Sequence, residues 1–107
     1  MKRGTIVTIA LQGDFGKPRP ALIVQSDLFA ELSSVTVLPI TSHLRDADLL
    51  RLALPVSPET GLSYPSQIMI DKAQTTIRSK LGSVIGFVDR ETMKAVDRAL
   101  AVFFGIA

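Results

Sequence analysis

Short stretches of apolar and β-branched residues, separated by glycine, proline and polar residues, follow one another along most of the chain. Stretches of about four to eight such residues are typical of β-strands. They predict strands over Thr5 to Leu11, Ala21 to Gln25, Val35 to Thr41, Arg51 to Val56, Gln67 to Asp71 and Ser83 to Val88, and a short strand or 3-10 turn over Thr75 to Arg78.

The last part of the chain has a different spacing, which predicts an α-helix from Arg90 to Phe104. Apolar residues recur there at helical intervals and form one stripe. They are Met93, Val96, Leu100 and Phe103. Asp89 can cap the start of this helix, and Gly105 ends it. Earlier in the chain, Ser26 can cap a single helical turn from Asp27 to Leu32.

Several short strands followed by one helix indicate a mainly β fold, a small and strongly bent antiparallel sheet or barrel with the helix packed on it. The 107 residues are enough for one hydrophobic core, so we predict a single domain over residues 1–107. Pro39 predicts a sheet edge or a bulge, and Gly86 predicts a bulge. In the strand from Gln67, Ile68 and Ile70 are expected to face the core.

The composition narrows the classes of function. With 47% hydrophobic and 21% charged residues the chain is a folded globular protein, and its net charge of +2 is compatible with an anionic partner. Five phenylalanines and one tyrosine are too few for a nucleic-acid surface built on stacked rings. There is no cysteine, and His43 is the single histidine, so we expect no metal and no cofactor. The apolar runs are short, so we expect a cytoplasmic protein with no membrane partner.

The segment Lys17-Pro18-Arg19-Pro20 comes directly before an apolar strand. Each proline fixes its own φ and keeps the residue before it out of the helical region, so this segment is stiff and extended. It is a suitable mount for a guanidinium that grips a phosphate, although X-Pro pairs are also ordinary loop punctuation. The other polar candidates lie at predicted strand ends and are Asp14, Lys17, Thr41, Ser42, His43 and Asp71.

Several of these segments together resemble the MazF/PemK (Kid) family of toxins. The likeness lies in Arg3-Gly4, in residues 16–27 (GKPRPALIVQSD), in residues 37–42 (VLPITS), in residues 67–72 and in the helix that ends Phe104-Gly105-Ile106. The resemblance implies an SH3-like barrel and a homodimeric endoribonuclease that a cognate antitoxin inhibits. It also implies metal-independent cleavage of single-stranded RNA to a 2′,3′-cyclic phosphate and a 5′-hydroxyl, which blocks translation.

The resemblance assigns roles to particular residues. Arg19 matches the catalytic arginine of the family, and its planar guanidinium suits phosphate oxygens. Thr41 matches the threonine whose hydroxyl donates to a non-bridging oxygen. Lys17, Ser42 and His43 are candidates for RNA binding, and His43 also for a base, since its ordinary pKa lies near neutrality. On their own, Thr41 would be an ordinary strand-end residue and His43 a loop residue.

Two carboxylates compete for the role of general base, and the sequence leaves the choice open. Asp14 lies where some members of the family carry a glutamate, and Asp71 matches the aspartate of the Kid type. Met69 stands where the Kid type has an arginine, which makes the pairing of Asp14 with Arg19 slightly the better one.

Two other functions fit parts of the sequence. A CcdB-like toxin that poisons DNA gyrase would suit residues 24–27 and the Phe104-Gly105-Ile106 ending, but it would have tryptophan at the first of those three positions and would lack the Lys17–Pro20 segment. A noncatalytic SH3-like binding module would need no pairing of an acid with an arginine. The segment Lys17–Pro20 favours RNA cleavage.

The resemblance also predicts the partners. We expect a homodimer through the C-terminal end of the helix and through the Val35 to Ile40 strand as a sheet edge. We expect the antitoxin to lay an acidic, partly disordered segment across Arg19 and the loop from Gln12 to Gly16.

Overall fold

The computed structural model describes residues 1–10 and 17–107. Its strands are β1 (Thr5–Ala10), β2 (Pro18–Ile23), β3 (Ser34–Thr41), β4 (Arg51–Leu54), β5 (Ser66–Met69), β6 (Gln74–Ile77) and β7 (Val84–Phe87). One α-helix, α1 (Arg90–Phe103), follows them, and 3-10 turns cover Asp27–Phe29, Ile70–Lys72 and Arg78–Lys80. The predicted loop from Gln12 to Gly16, with Asp14, lies outside the described residues, as does Leu11.

The strands form one antiparallel, strongly curled sheet in the order β4-β5-β3-β2-β1-β7, with β6 also paired to β3. β3 is the strand that turns the sheet. Its first half, Ser34 to Val37, pairs with β6, and its last two residues, Ile40 and Thr41, pair with β5. The mainly β fold with a C-terminal helix is therefore confirmed.

Pro39 lies in the interval where β3 changes its neighbour from β6 to β5, while it pairs with Ala21 of β2 on the other side. β3 is an interior strand, so the expectation that Val35 to Ile40 form an open edge for dimerisation is wrong. Val35 and Ile40 are also buried, because Val35 packs in the core on one face of the sheet and Ile40 in the core on the other.

Alternation along the strands builds two cores, one on each face of the sheet. The larger core contains Ile6, Leu22, Leu38, Ile68 and Ile70, and it includes Val96 of α1. The smaller core contains Val7, Ile9, Ala21, Ile23, Val35 and Val37. Because both faces of these strands are buried, their sequence reads as nearly continuous apolar runs. Ile68 and Ile70 face the core as predicted.

The ends of α1 are formed as the sequence predicts. The Asp89 side chain accepts a hydrogen bond from the Thr92 amide at 2.8 Å, which satisfies one of the free amides of the first turn. At the other end, Gly105 has a φ of +75°, and the amides of Gly105 and Ile106 donate to the carbonyls of Val102 and Ala101. This is the Schellman pattern, which glycine favours. Ser26 likewise accepts from the Leu28 amide, although the turn that it caps is shorter than predicted.

The start of the chain is tied to the helix that covers the larger core. The Arg3 side chain donates to the Val24 carbonyl at 2.8 Å and forms an ion pair with Asp97 of α1. The Arg3 amide also donates to the Asp27 carboxylate at 2.8 Å. These contacts link β1, the end of β2 and the helix.

β7 contains the bulge that Gly86 predicts. Ile6 is opposite Gly86 and Val7 is opposite Val84, so Ile85 is the extra residue between them. Asp71 departs from its predicted strand, because β5 ends at Met69 and Asp71 belongs to a 3-10 turn. Within the described residues, no helix is long and apolar enough to cross a membrane.

Candidate functional site

A cavity of about 680 Å³ opens between the start of β2, the end of β3 and the segment 61–66. Its polar lining comprises Arg19, Thr41, Ser42, His43, Ser63, Tyr64 and Ser66, and its apolar lining includes Pro18, Pro20, Met69 and Ile85. We call residues 41–45 the first wall and residues 61–66 the second wall. The cavity gathers several of the residues that the sequence singled out.

Arg19 and Thr41 come together through the register of β2 and β3. Ala21 of β2 pairs with Pro39 of β3, so continuing the register by two residues places Arg19 level with Thr41. On its other side Arg19 pairs with Ile9 of β1. The backbone of Arg19 is thus fixed within the sheet while its side chain is exposed at the cavity. Among the described lining residues, Arg19 supplies the permanent charge, and no carboxylate is present.

The Thr41 hydroxyl is oriented by the turn that follows it. Its oxygen accepts a hydrogen bond from the His43 amide at 3.0 Å. A hydroxyl that accepts in this way keeps its own hydrogen to donate elsewhere. Ser42 and His43 are exposed on the same wall. A cation and a hydroxyl donor that line one cavity are what a phosphate group needs.

The side chain of Gln67, outside the cavity lining, holds the first wall in place. Its amide oxygen accepts from the Arg45 amide at 3.0 Å, and its amide nitrogen donates to the Arg45 carbonyl at 2.9 Å. The backbone of Gln67 pairs with Thr41. A single residue of β5 therefore fixes both the end of β3 and the turn after it.

The second wall is fixed by close backbone packing against β7. Gly61 has a φ of +68°, and a Cβ at this position would overlap the carbonyl of Ile85. A Cβ on Gly86 would overlap the carbonyl of Thr60 in the same way. The Phe87 amide donates to the Glu59 carbonyl at 2.9 Å, which joins the two segments further. The absence of side chains at the two glycines is what allows this approach.

The second wall carries a residue to which the sequence pattern gave no role. Tyr64 is 68% exposed, and it lines the same cavity as Arg19 and Thr41. Ser66, which is buried, donates from its hydroxyl to the Tyr64 carbonyl at 2.8 Å. Tyr64 is the one tyrosine of the chain, and Pro65 follows it. An aromatic residue before a proline, in a turn between two predicted strands, is the sequence feature that could have indicated an exposed ring.

Asp71 lies apart from this cavity. It pairs with Arg51 of β4, and the Lys72 ammonium is 3.7 Å from its other oxygen. Burial raises the pKa of Asp71, but the hydrogen bond and charge of Arg51 outweigh it and hold the pKa below its ordinary value of 3.8. A carboxylate that is paired and hard to protonate is poorly suited to act as a general base. Met69, by contrast, does line the cavity.

The remaining predicted site residues divide in two. Lys17 is exposed next to Pro18, which lies at the edge of the cavity. Asp14 lies outside the described residues. Within residues 1–10 and 17–107, no group of three or more histidine, cysteine, aspartate or glutamate side chains is arranged to hold a metal ion.

A family profile and a curated relative point to the same family of proteins. The sequence profile of the PemK-like, MazF-like toxins of type II toxin-antitoxin systems matches residues 2–104. The chain is 49% identical over 108 residues to a probable endoribonuclease MazF of Mycolicibacterium smegmatis, covering 100% of this chain and 99% of the relative.

Solved structures share the fold. The Mycobacterium tuberculosis toxin MazF-mt6 superposes with a TM-score of 0.83 at 28% identity, covering 96% of this chain and 98% of that one. A mycobacterial endoribonuclease in complex with its cognate antitoxin superposes with a TM-score of 0.84 at 22% identity, covering 100% of this chain and 97% of that one.

Proposed function

Since this chain belongs to the PemK-like, MazF-like toxins of type II toxin-antitoxin systems and is an endoribonuclease of that family, we propose that it cuts single-stranded RNA without a metal, by attack of the substrate's own 2′-hydroxyl. The observation that carries this proposal is the meeting of Arg19 and Thr41 at one cavity. In the cytoplasm, cleavage of messenger RNA by the toxin would stop translation and growth.

In the proposed reaction the 2′-oxygen forms a bond to phosphorus while the bond from phosphorus to the 5′-oxygen breaks. The products are a 2′,3′-cyclic phosphate and a 5′-hydroxyl. Negative charge builds up on the non-bridging oxygens, and the Arg19 guanidinium and the Thr41 hydroxyl stabilise it. Donors preorganised at developing charge are the largest contribution in many enzymes.

A base must take the proton of the 2′-hydroxyl, and an acid must give one to the departing 5′-oxygen. We propose Asp14 as the base. This choice is supported by the place of Asp71, which lies outside the cavity and is bound by Arg51. It is also supported by the pairing of Ala10 with Pro18, because these described residues on either side of Asp14 in the chain lie next to Arg19 in the sheet. His43, which lines the cavity, is the second candidate.

Lys17, Ser42 and His43 extend the proposed RNA contact beyond the reacting phosphate. We also propose that two chains pair through the exposed apolar end of α1, where Val102, Phe103, Phe104 and Ile106 are exposed. An acidic antitoxin segment would then lie across Arg19 and compete with RNA. The family match and the 49% identical relative named an endoribonuclease do not favour the gyrase-binding or the noncatalytic alternative.

The test is cleavage of a long single-stranded RNA by purified toxin in EDTA. Arg19→Ala and Thr41→Val should each lower the rate by about 100-fold or more, the usual loss for a donor to developing charge. Arg90→Ala, which removes an exposed arginine at the start of α1, should leave the rate unchanged. Equal rates for all four proteins, or no cleavage by the wild type, would overturn the proposal.

Two further variants test whether Asp14 or Asp71 is the general base. Asp14→Asn should abolish most of the activity, whereas Asp71→Asn should alter stability more than the chemical step. A large loss of the single-turnover rate in Asp71→Asn, with the protein folded, would reverse this assignment.

A further inference from the structure

We propose that Tyr64 is the stacking platform for one base of the bound RNA, and that it favours a purine beside the phosphate held by Arg19 and Thr41. This subsite rests on the proposed function, because it needs single-stranded RNA in the cavity. It adds a selective contact on the second wall, where the sequence pattern assigns no role.

The exposure of Tyr64 is the first argument. Its side chain is 68% exposed although it lines a cavity, so most of the ring faces solvent in the free protein. Covering an aromatic ring with another flat ring removes a large apolar area from water and adds a favourable stacking geometry. Each nucleobase has such a flat face, and a purine has the larger one.

The second argument is that the ring stands on a fixed backbone. Ser66 donates to the Tyr64 carbonyl at 2.8 Å, and Pro65 restricts the residue before it. Leu62 and Ser66 on either side are buried. The backbone of the segment is therefore ordered before RNA arrives, so stacking costs little further conformational entropy.

Position within the cavity is the third argument. Arg19 and Thr41 are on the strand ends, and Tyr64 is on the second wall, all lining one cavity. When the phosphate is bound by Arg19 and Thr41, the base next to it can extend through the cavity to Tyr64. The other described aromatic residues, which are Phe29, Phe87, Phe103 and Phe104, are absent from the lining. The described part of the cavity thus offers one platform for one base, which differs from a surface of many stacked rings.

The experiment begins by mapping where the wild type cuts a long RNA. An oligonucleotide of the mapped sequence is then made with a 2′-deoxy sugar at the cleaved position, so that it binds without reacting. The fluorescent purine 2-aminopurine replaces each neighbouring base in turn. Fluorescence quenching reports stacking on the ring, and titration gives the Kd.

We expect quenching at one position next to the cleaved phosphate. Tyr64→Phe, which keeps the ring, should keep both the quenching and the Kd within about threefold. Tyr64→Leu should remove the quenching and raise the Kd about tenfold or more, the usual effect of losing one aromatic platform. Phe29→Leu, at an exposed aromatic residue away from the cavity, is the matched control and should change neither.

Two outcomes separate this subsite from the proposed function. If the wild type binds and cuts RNA while Tyr64→Leu keeps the same Kd and quenching, the subsite is overturned and the proposed function stands. If the wild type neither binds nor cuts RNA, both are overturned. If Tyr64→Leu weakens binding of the antitoxin but leaves RNA binding intact, the ring serves the protein partner and the subsite is again overturned.

Discussion

The two walls of the cavity are held by different kinds of contact. The first wall is held by side-chain hydrogen bonds. The Gln67 side chain bonds to the backbone of Arg45, and the Thr41 hydroxyl accepts from the His43 amide. The second wall is fixed by backbone against backbone, where Gly61 and Gly86 allow a close approach. Side-chain hydrogen bonds at an exposed turn open at low cost, whereas packed backbone does not. Thr41 itself stays fixed by its pairing with Gln67 of β5, so we infer that residues 42–45 of the first wall adapt to the RNA while the second wall is a rigid template.

The largest expected effect comes from adding one methyl group to the second wall. Gly61→Ala combines a left-handed φ with overlap onto the Ile85 carbonyl, so it should destabilise the protein by about 3 kcal/mol or more. Gly105→Ala is the matched control, because its φ is also positive but nothing lies within 4 Å of the added Cβ.

The control should lose only the left-handed penalty, about 1–2 kcal/mol. Denaturant unfolding of both variants measures the difference. Equal losses at Gly61 and Gly105 would mean that the second wall is less tightly packed against β7 than the geometry indicates.

The next largest expected effect on stability comes from breaking the ion pair between Arg51 and Asp71. Arg51 is 6% and Asp71 19% exposed, and Arg51 stands opposite Met69 of β5, the strand that carries Gln67. Arg51→Met leaves the mostly buried carboxylate with only the exposed Lys72 ammonium near it, and it should cost about 3 kcal/mol. The double variant Arg51→Met with Asp71→Asn should recover part of this loss, and its failure to do so would contradict an unpaired charge as the cause.

This pair also sets a dependence of stability on pH. The pKa of Asp71 is lower in the folded chain than its ordinary value of 3.8, so the folded state favours the ionised form. Its contribution is complete above pH 3.8 and is lost as the pH falls through the lower folded pKa. Asp71→Asn should therefore flatten the acid side of the stability curve, measured by unfolding between about pH 2 and 6. Asp48→Asn, at an exposed aspartate, controls for the change in net charge.

The smallest expected effect on stability comes from replacing Gln67, and it tests most directly whether the first wall is the more adaptable of the two. Gln67→Ala removes two hydrogen bonds, each worth about 0.5–1.5 kcal/mol at most in this exposed setting. We expect KM for RNA to rise several-fold with kcat changed little, and the Arg45 amide to exchange its hydrogen faster. Gln74→Ala, at an exposed glutamine of β6, should do neither. Unchanged exchange at Arg45 would show that the first wall is held by something else.

Much of this architecture follows from local rules in the sequence. The strands, the Asp89 cap, the Gly105 stop and the bulge near Gly86 depend on residues close together in the chain, and the structure confirms them. Arg19 stands out locally because stiff prolines flank it, whereas Thr41 is assigned a role only by the family resemblance. Their meeting at one cavity depends on the register of β2 and β3, which pairs residues far apart in the chain.

The rest of the site depends on contacts between distant segments. The second wall had no chemical signature, because its role comes from the approach of Gly61 to β7, twenty-odd residues along the chain. Asp71 is a candidate base from the sequence alone, because its partner Arg51 lies twenty residues earlier in the chain and nothing local links the two. Pro39 predicts an edge over the Val35 to Ile40 segment. In the structure this proline lies between the part of β3 that pairs with β6 and the part that pairs with β5.

The position of α1 at the end of the described chain has a consequence for synthesis. The larger core is closed by Val96, with Met93 and Leu100 packed against it, and all three are translated after the whole sheet. A nascent chain that stops at Asp89 leaves one face of that sheet open to water, so we expect it to cleave no RNA and to bind hydrophobic dyes. Ribosome-stalled chains of increasing length test this. The protein would then be able to cut RNA only after the ribosome has translated the helix.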